Sequence, residues 1–159
     1  MNRRLYAKGK RGLIYLACYK GKKIIIKKKN PKSAAPGRIE IEAQFLKKVN
    51  RKGIGPKFIY FKGNELAMEY INGVHFTDYM KTQPKDKMRK VVMLLEKQVK
   101  ALDKLKINKY EMSRPFRNVI IRNDKPVMID FERCKYSPNP KNLRQFQEFK
   151  KRLEQGLFS

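Results

Sequence analysis

Acidic residues are scarce in this chain. Its 159 residues include 40 lysines and arginines but only 14 aspartates and glutamates, for a formal charge of +26. Tryptophan is absent, His75 is the only histidine, and the two cysteines are Cys18 and Cys134. One histidine and two distant cysteines have no metal-ligand spacing, so a zinc site is not expected, and so few thiols exclude a disulfide-built scaffold. Both cysteines are expected to be free, buried thiols in a reducing cytosol. No apolar run reaches the length of a membrane span. The basic start Met1-Asn2-Arg3-Arg4-Leu5 leads into no signal-peptide core. The expectation is a cytoplasmic protein with no membrane partner. A chain of this length buries roughly 68–70% of its unfolded surface and needs no covalent staple.

The excess of positive charge is the strongest bulk feature. Such a chain repels itself and attracts polyanions at low salt, which fits an RNA or ribonucleoprotein partner. The same excess arises in lysine-rich proteomes, where lysines cover every solvent face. Charge alone does not separate the two.

The first thirty residues read as strands: Leu5-Tyr6-Ala7, Leu13–Ala17 after the glycine turn Lys8–Gly12, and Lys23–Lys28 after Tyr19–Lys22. A linker with Pro31 and Pro36 leads to a helix over Arg38–Asn50, which stops before Gly53-Ile54-Gly55-Pro56. Two short strands follow, Phe58–Phe61 and Leu66–Tyr70. Beyond Gly73 the character is helical. Asp86 is expected to cap a long helix with Met88, Val91, Val92, Leu95, Val99, Leu102 and Leu105 along one stripe. Val119–Ile121 and Val127–Ile129 flank Asn123-Asp124-Lys125, a hairpin signal. Asn139-Pro140 opens a last helix with Leu143, Phe146, Phe149 and Leu153 inward and Gly156 at its end.

One helix carries a conflict. Ile41, Phe45 and Val49 recur at four-residue spacing, and Glu42 falls on the same face as Phe45, Leu46 and Val49. A half-buried carboxylate is costly unless a cation meets it. The nearest candidate is Lys27, at the end of the apolar strand Ile24-Ile25-Ile26. Lys29 lies on the same strand face and is the fallback. Upstream, Gly9 and Gly12 allow backbone amides to approach a phosphate, although most such pairs are ordinary turns.

The hairpin adds separate geometry. With its turn centred on Asp124, Asn118 and Asp130 lie six residues to either side and face each other. Their Cα atoms would be about 4.5–5.5 Å apart. An amide oxygen and a carboxylate at one open end suit Mg²⁺, which takes its other ligands from water and phosphates. The plainer alternative is a polar strand end and a turn.

Together, Gly9–Gly12, Ile24–Lys27, Glu42, Met68–Gly73, Asn118 and Ile129-Asp130-Phe131-Glu132 resemble a protein kinase-like fold. The likeness runs over about Lys8 to Arg133. It is similar to the small atypical kinases of archaea: the RIO group, the kinase of the KEOPS tRNA-modification complex, and a family of predicted serine/threonine kinases. Lys27–Lys32, Glu42-Ala43 and Gly53–Pro56 look like the KEOPS-type pattern, and Ile129–Arg133 like the predicted archaeal family. The fold implied is α+β: a minimal kinase-like fold with a small antiparallel-sheet lobe carrying one helix (1–71) and a short helical lobe (72–159). The resemblance implies ATP and Mg²⁺ as cofactors. Lys27 would hold the α and β phosphates, Glu42 would orient Lys27, and Gly9 and Gly12 would form the phosphate-covering turn. Glu69, Tyr70 and Ile71 would be the adenine-meeting hinge, with Met68 behind, and Asn118 and Asp130 would hold the metal.

Three departures from the pattern matter. Where such kinases have a catalytic aspartate five residues before the asparagine, this chain has Ser113, which cannot accept a proton as a carboxylate would. Glu111 is the nearest carboxylate, and a loop two residues longer would put Lys109-Tyr110-Glu111-Met112 in the place of His-Arg-Asp-Leu, with Glu111 as base. The alternative is an impaired site. Arg114 and Arg117 could meet the transferred phosphate. Next, Glu132 replaces the glycine after Asp-Phe, so that segment is expected to be fixed. Finally, 27 residues follow Glu132, so a long activation segment is not expected.

Two readings follow. The first is an ATP- and Mg²⁺-dependent serine/threonine phosphotransferase acting on a protein partner or on itself. The second is a basic RNA- or ribosome-associated module, an ATPase or pseudokinase, that keeps the scaffold.

Overall fold

The computed structural model describes residues 1–9, 12–32, 34 and 38–156. Lys10 and Arg11 of the glycine turn, and half of the linker before the Glu42 helix, lie outside the described residues. The chain forms two compact units: Met1–Ile71 with Phe131–Arg133, and Asn72–Asp130 with Cys134–Ser159.

The first unit is built on strands β1 (Arg3–Lys8), β2 (Gly12–Tyr19) and β3 (Lys22–Lys29), helix α1 (Ile39–Asn50), and strands β4 (Phe58–Lys62) and β5 (Glu65–Glu69). The strands make one antiparallel sheet in the order β1-β2-β3-β5-β4. β3 follows from its run of β-branched residues. Ile24 and Ile26 bury on one face with Ala17 and Ala67, which leaves Lys27 on the other. Helix α1 packs on β3, β4 and β5. Its acidic first turn (Glu40, Glu42) and basic last turn (Lys47, Lys48) complement the helix dipole.

The buried face of α1 is Glu42, Ala43, Phe45, Leu46 and Val49. Ile41, expected inward, is exposed; four-residue spacing runs ahead of the 3.6-residue turn and carries the end of the row out of the core. Asn50 closes the helix stop. Its amide donates to the carbonyls of Ile54 and Pro56 (2.9 Å each) and its oxygen accepts from the Phe58 N–H at 2.7 Å. Gly55 has φ +81°, and a Cβ there would lie 3.0 Å from both Leu46 and the Phe131 ring. Only glycine fits that bend.

The second unit contains strand β6 (Val74–His75), helices α2 (Phe76–Thr82) and α3 (Lys85–Lys104), strand β7 (Ile107–Asn108), a 3₁₀ turn (Pro115–Arg117), strands β8 (Val119–Arg122), β9 (Lys125–Met128) and β10 (Lys135–Tyr136), and helix α4 (Asn142–Glu154). The small sheets are β6-β8-β9 and β10-β7. Gly73 lets β6 lie against β8, because a Cβ there would collide with the Ile121 carbonyl oxygen. Helices α3 and α4 pack together, and Lys150 of α4 bonds Glu96 of α3 at 2.6 Å. That contact holds the Glu96 carboxyl below its usual range, with Lys100 adding to it. Phe76, Phe116, Phe146 and Phe149 form an aromatic cluster with centroids 5.4–6.4 Å apart.

Two helix starts differ from expectation. Pro84, not Asp86, caps α3, and Lys141 precedes α4 in place of Asn139-Pro140. Proline at the entry of α3 removes one of the unpaired N–H donors there, its own, and neither helix start has a side-chain cap. Neither cysteine is in a disulfide, but against the expectation of two buried thiols Cys18 is exposed and only Cys134 is buried. Among the described residues no helix is long and apolar enough to cross a membrane.

Candidate functional site

In the first unit, Lys27 donates to Glu42 Oε1 at 2.7 Å. Glu42 is 1% exposed. Its Oε1 also accepts the Phe131 N–H at 3.3 Å. A buried carboxylate held by a cation and a backbone donor is satisfied, which is the condition for such a pair to persist. Lys27 keeps 18% of its side chain exposed. Met68 and Ile71 are buried. Beside them, Glu69 Oε2 accepts the Lys57 N–H at 3.1 Å and the Tyr70 N–H donates to the Lys23 carbonyl at 3.4 Å. The Ile71 N–H has no partner among the described residues. In the glycine turn, Gly9 N–H donates to the Gly12 carbonyl at 2.9 Å.

In the second unit, the hairpin is displaced from the expected register. Val119 pairs Met128 and Arg122 pairs Lys125, with the Ile129 N–H donating to the Asn118 carbonyl at 2.9 Å. Asn118 is therefore opposite Ile129, and Asp130 lies one residue further on. The cause is the turn: Asn123 and Asp124 both have positive φ (51° and 57°), a two-residue type I′ loop centred between them rather than on Asp124. Asp130 itself has φ +64°. A non-glycine residue held there marks a backbone fixed by its surroundings.

The side chain that fixes it is Lys109. It is 3% exposed, and its ammonium donates to the carbonyls of Ile129, at 2.8 Å, and Asp130. The loop around Lys109 is in turn tied to α4. The Lys109 N–H donates to Asn142 Oδ1 at 2.8 Å, and Met112 N–H to Gln145 Oε1 at 3.3 Å. Asn142, fully buried, spends its amide on Asp103 (2.7 Å) and on the Ile107 carbonyl (2.6 Å). Sequence reasoning missed this support. In a chain so rich in lysine nothing marks Lys109 as the one turned inward.

Glu111 and Asn118 come together: the Asn118 amide donates to Glu111 Oε2 at 2.6 Å. This orientation leaves Asn118 Oδ1 as an acceptor with no donor on it. Asp130 Oδ1 is buried and has no hydrogen-bond partner. Two unmet oxygen acceptors, one of them anionic, fit a hard divalent cation such as Mg²⁺ whose other ligands come from water or phosphate. No cluster of three or more histidines, cysteines or acids among the described residues offers another metal site. Glu111 also borders a cleft of about 910 Å³, lined by Thr77, Met80, Lys81, Ser113, Phe116 and the nearby arginines. His75 sits exposed on β6.

The profile of the RIO domain matches residues 5–148. Among solved structures, the Rio2 kinase of Chaetomium thermophilum, in an ADP/Mg²⁺-phosphoaspartate complex, matches with a TM-score of 0.70 and 16% identity. The match covers 98% of this chain, which spans 56% of that one. Identity that low establishes the fold alone, an α+β kinase-like one. No curated protein matches the sequence.

Proposed function

Since this chain belongs to the RIO domain family of kinase-like proteins, we propose that it is an ATP- and Mg²⁺-dependent phosphotransferase, acting on serine or threonine of a protein or on itself. The observation that carries the reading is the Lys27–Glu42 pair at 2.7 Å, which leaves a fixed ammonium to hold the α and β phosphates. Glu69, Tyr70 and Ile71 would meet adenine, with Met68 lining the pocket and Gly9 and Gly12 over the phosphates. Asn118 and Asp130 would hold Mg²⁺, which neutralises charge on the phosphates.

Glu111 would take the proton of the acceptor hydroxyl. It is an exposed carboxylate, and the Asn118 amide at 2.6 Å fixes one of its oxygens. Phosphoryl transfer needs little covalent help from a protein, so positioned charge supplies most of the catalysis. The charge of +26 favours the second reading, a nucleotide-binding module that serves RNA or a ribonucleoprotein.

Calorimetry of Mg²⁺-ATP binding and radiolabelled phosphate transfer test the proposal. Lys27→Ala should abolish nucleotide binding and transfer together. Glu111→Gln should cut transfer about 10²–10³-fold with binding intact. RNA binding by a wild type that never transfers phosphate would establish the module instead, and unchanged transfer in Glu111→Gln would remove that residue from the role of base.

A further inference from the structure

Resting on that reading, we propose that the cleft beside Glu111 is the acceptor site and that it selects protein segments in which the phosphorylated hydroxyl is flanked by acidic or already phosphorylated residues. Three cations line the cleft: Lys81 from α2, and Arg114 and Arg117 from the 3₁₀ turn. None of them forms an ion pair among the described residues. Glu111 is the only acid on the wall. The cleft thus presents three positive groups to a single carboxylate, and that carboxylate is the one proposed to receive the proton.

The placement of the cations follows from local geometry. Arg114 immediately precedes the 3₁₀ turn and Arg117 ends it, and both line the cleft. Helix α2 packs on this turn and brings Lys81 to the same wall. The loop between is held at both ends. Arg114 N–H donates to the Glu111 carbonyl at 3.0 Å, and Arg152 of α4 bonds the Ser113 carbonyl at 2.6 Å. The backbone carrying the arginines is therefore set before a ligand arrives. Paired guanidinium groups suit carboxylates and phosphates, which they meet with two parallel hydrogen bonds.

The rest of the lining points to a protein rather than a nucleic acid. Single-stranded RNA binds where aromatic faces are free to stack with bases. The one aromatic in this wall, Phe116, is already packed edge-on to Phe149 at 5.7 Å and stacked with Phe76 at 6.4 Å. Met80 and Phe116 add apolar surface to the lining that carries the cations, which suits peptide side chains.

Binding is tested without turnover. Fluorescent dodecapeptides in which alanine replaces the acceptor serine, flanked by glutamates, by phosphoserine, by lysines or by neutral residues, are titrated against the full chain at two salt concentrations. Acidic and phosphorylated peptides should bind best, and Arg114→Ala/Arg117→Ala should weaken them about tenfold. Arg114→Glu/Arg117→Glu should transfer the preference to the lysine peptide. Lys97→Ala/Lys104→Ala, which removes the same charge from the exposed side of α3, should leave the ranking intact. Equal binding of all peptides, or an equal loss in the α3 variant, overturns the proposal, as does a uridine dodecanucleotide that binds through the two arginines where acidic peptides do not. The two readings fail separately. Serine-containing versions of the acidic peptides that bind but never receive phosphate would sink the phosphotransferase, whereas transfer to serine peptides regardless of flanking charge would sink only the acceptor preference.

Discussion

The two units treat their charged groups in opposite ways. In the first, Lys27 and Glu42 neutralise each other, and the Phe131 N–H completes the carboxylate. In the second, Asp130 Oδ1 is buried without a partner, and a buried ammonium holds its backbone in a left-handed conformation. The first arrangement is at rest without a ligand. On the proposed reading a cation would complete the second, and part of its stability would be deferred to binding. Ligand-dependent stabilisation is thus expected in the second unit and ligand-independent stability in the first.

Asp130→Asn breaks the contrast most severely. Asparagine tolerates positive φ, so the turn should survive while phosphate transfer falls about 10³-fold or more. Without ligand, the same variant should unfold later in urea by about 1 kcal/mol, because an unmet buried anion is gone. Lower stability together with lost activity would mean that the carboxylate has an intramolecular partner after all. Glu42→Ala should do the reverse, destabilising the unliganded chain by about 3 kcal/mol, near the low end for a broken buried pair because Lys27 keeps some solvent; denaturant midpoints with and without Mg²⁺-ATP read this directly.

Gly55→Ala comes next. Left-handed backbone and two close contacts combine to cost about 2 kcal/mol. The smallest effect is at high pH. Tyr79 is buried and donates to Asp124 Oδ1 at 2.8 Å, which together push its hydroxyl up to about 12. A tyrosine raised from 10.0 to about 12 contributes stability that is whole below pH 10 and disappears as pH climbs through that interval. Tyr79→Phe should therefore flatten the alkaline decline of the thermal midpoint between those limits.

The parts legible from sequence were those in which one residue breaks a strong pattern. Glu42 on an apolar helical face demanded a cation, and the strand just before it supplied Lys27. The order of strands and helices was legible in periodicity, while the α+β kinase-like architecture was implied by the resemblance that Gly9–Gly12, Lys27, Glu42, Asn118 and Asp130 carry. Register was less legible. Asn123-Asp124-Lys125 announces a turn, but whether its centre falls on Asp124 or before it depends on two backbone angles that the letters leave open. β6, β7 and β10 have two residues each, too few for any periodicity to show, and the short helix α2 went unread between them. The inward lysine at 109 was hidden by abundance.

Phe131–Arg133 belong to the first unit although their chain neighbours on both sides belong to the second. No single cut therefore yields the sheet with its own residues intact. A fragment ending at Ile71 would leave behind the ring that fills the hollow above Gly55 and Leu46, together with one of the donors that quiet Glu42. Truncations, circular permutations and fusion junctions in this protein have to carry those three residues along, or the lobe they were meant to isolate will not be the one seen here.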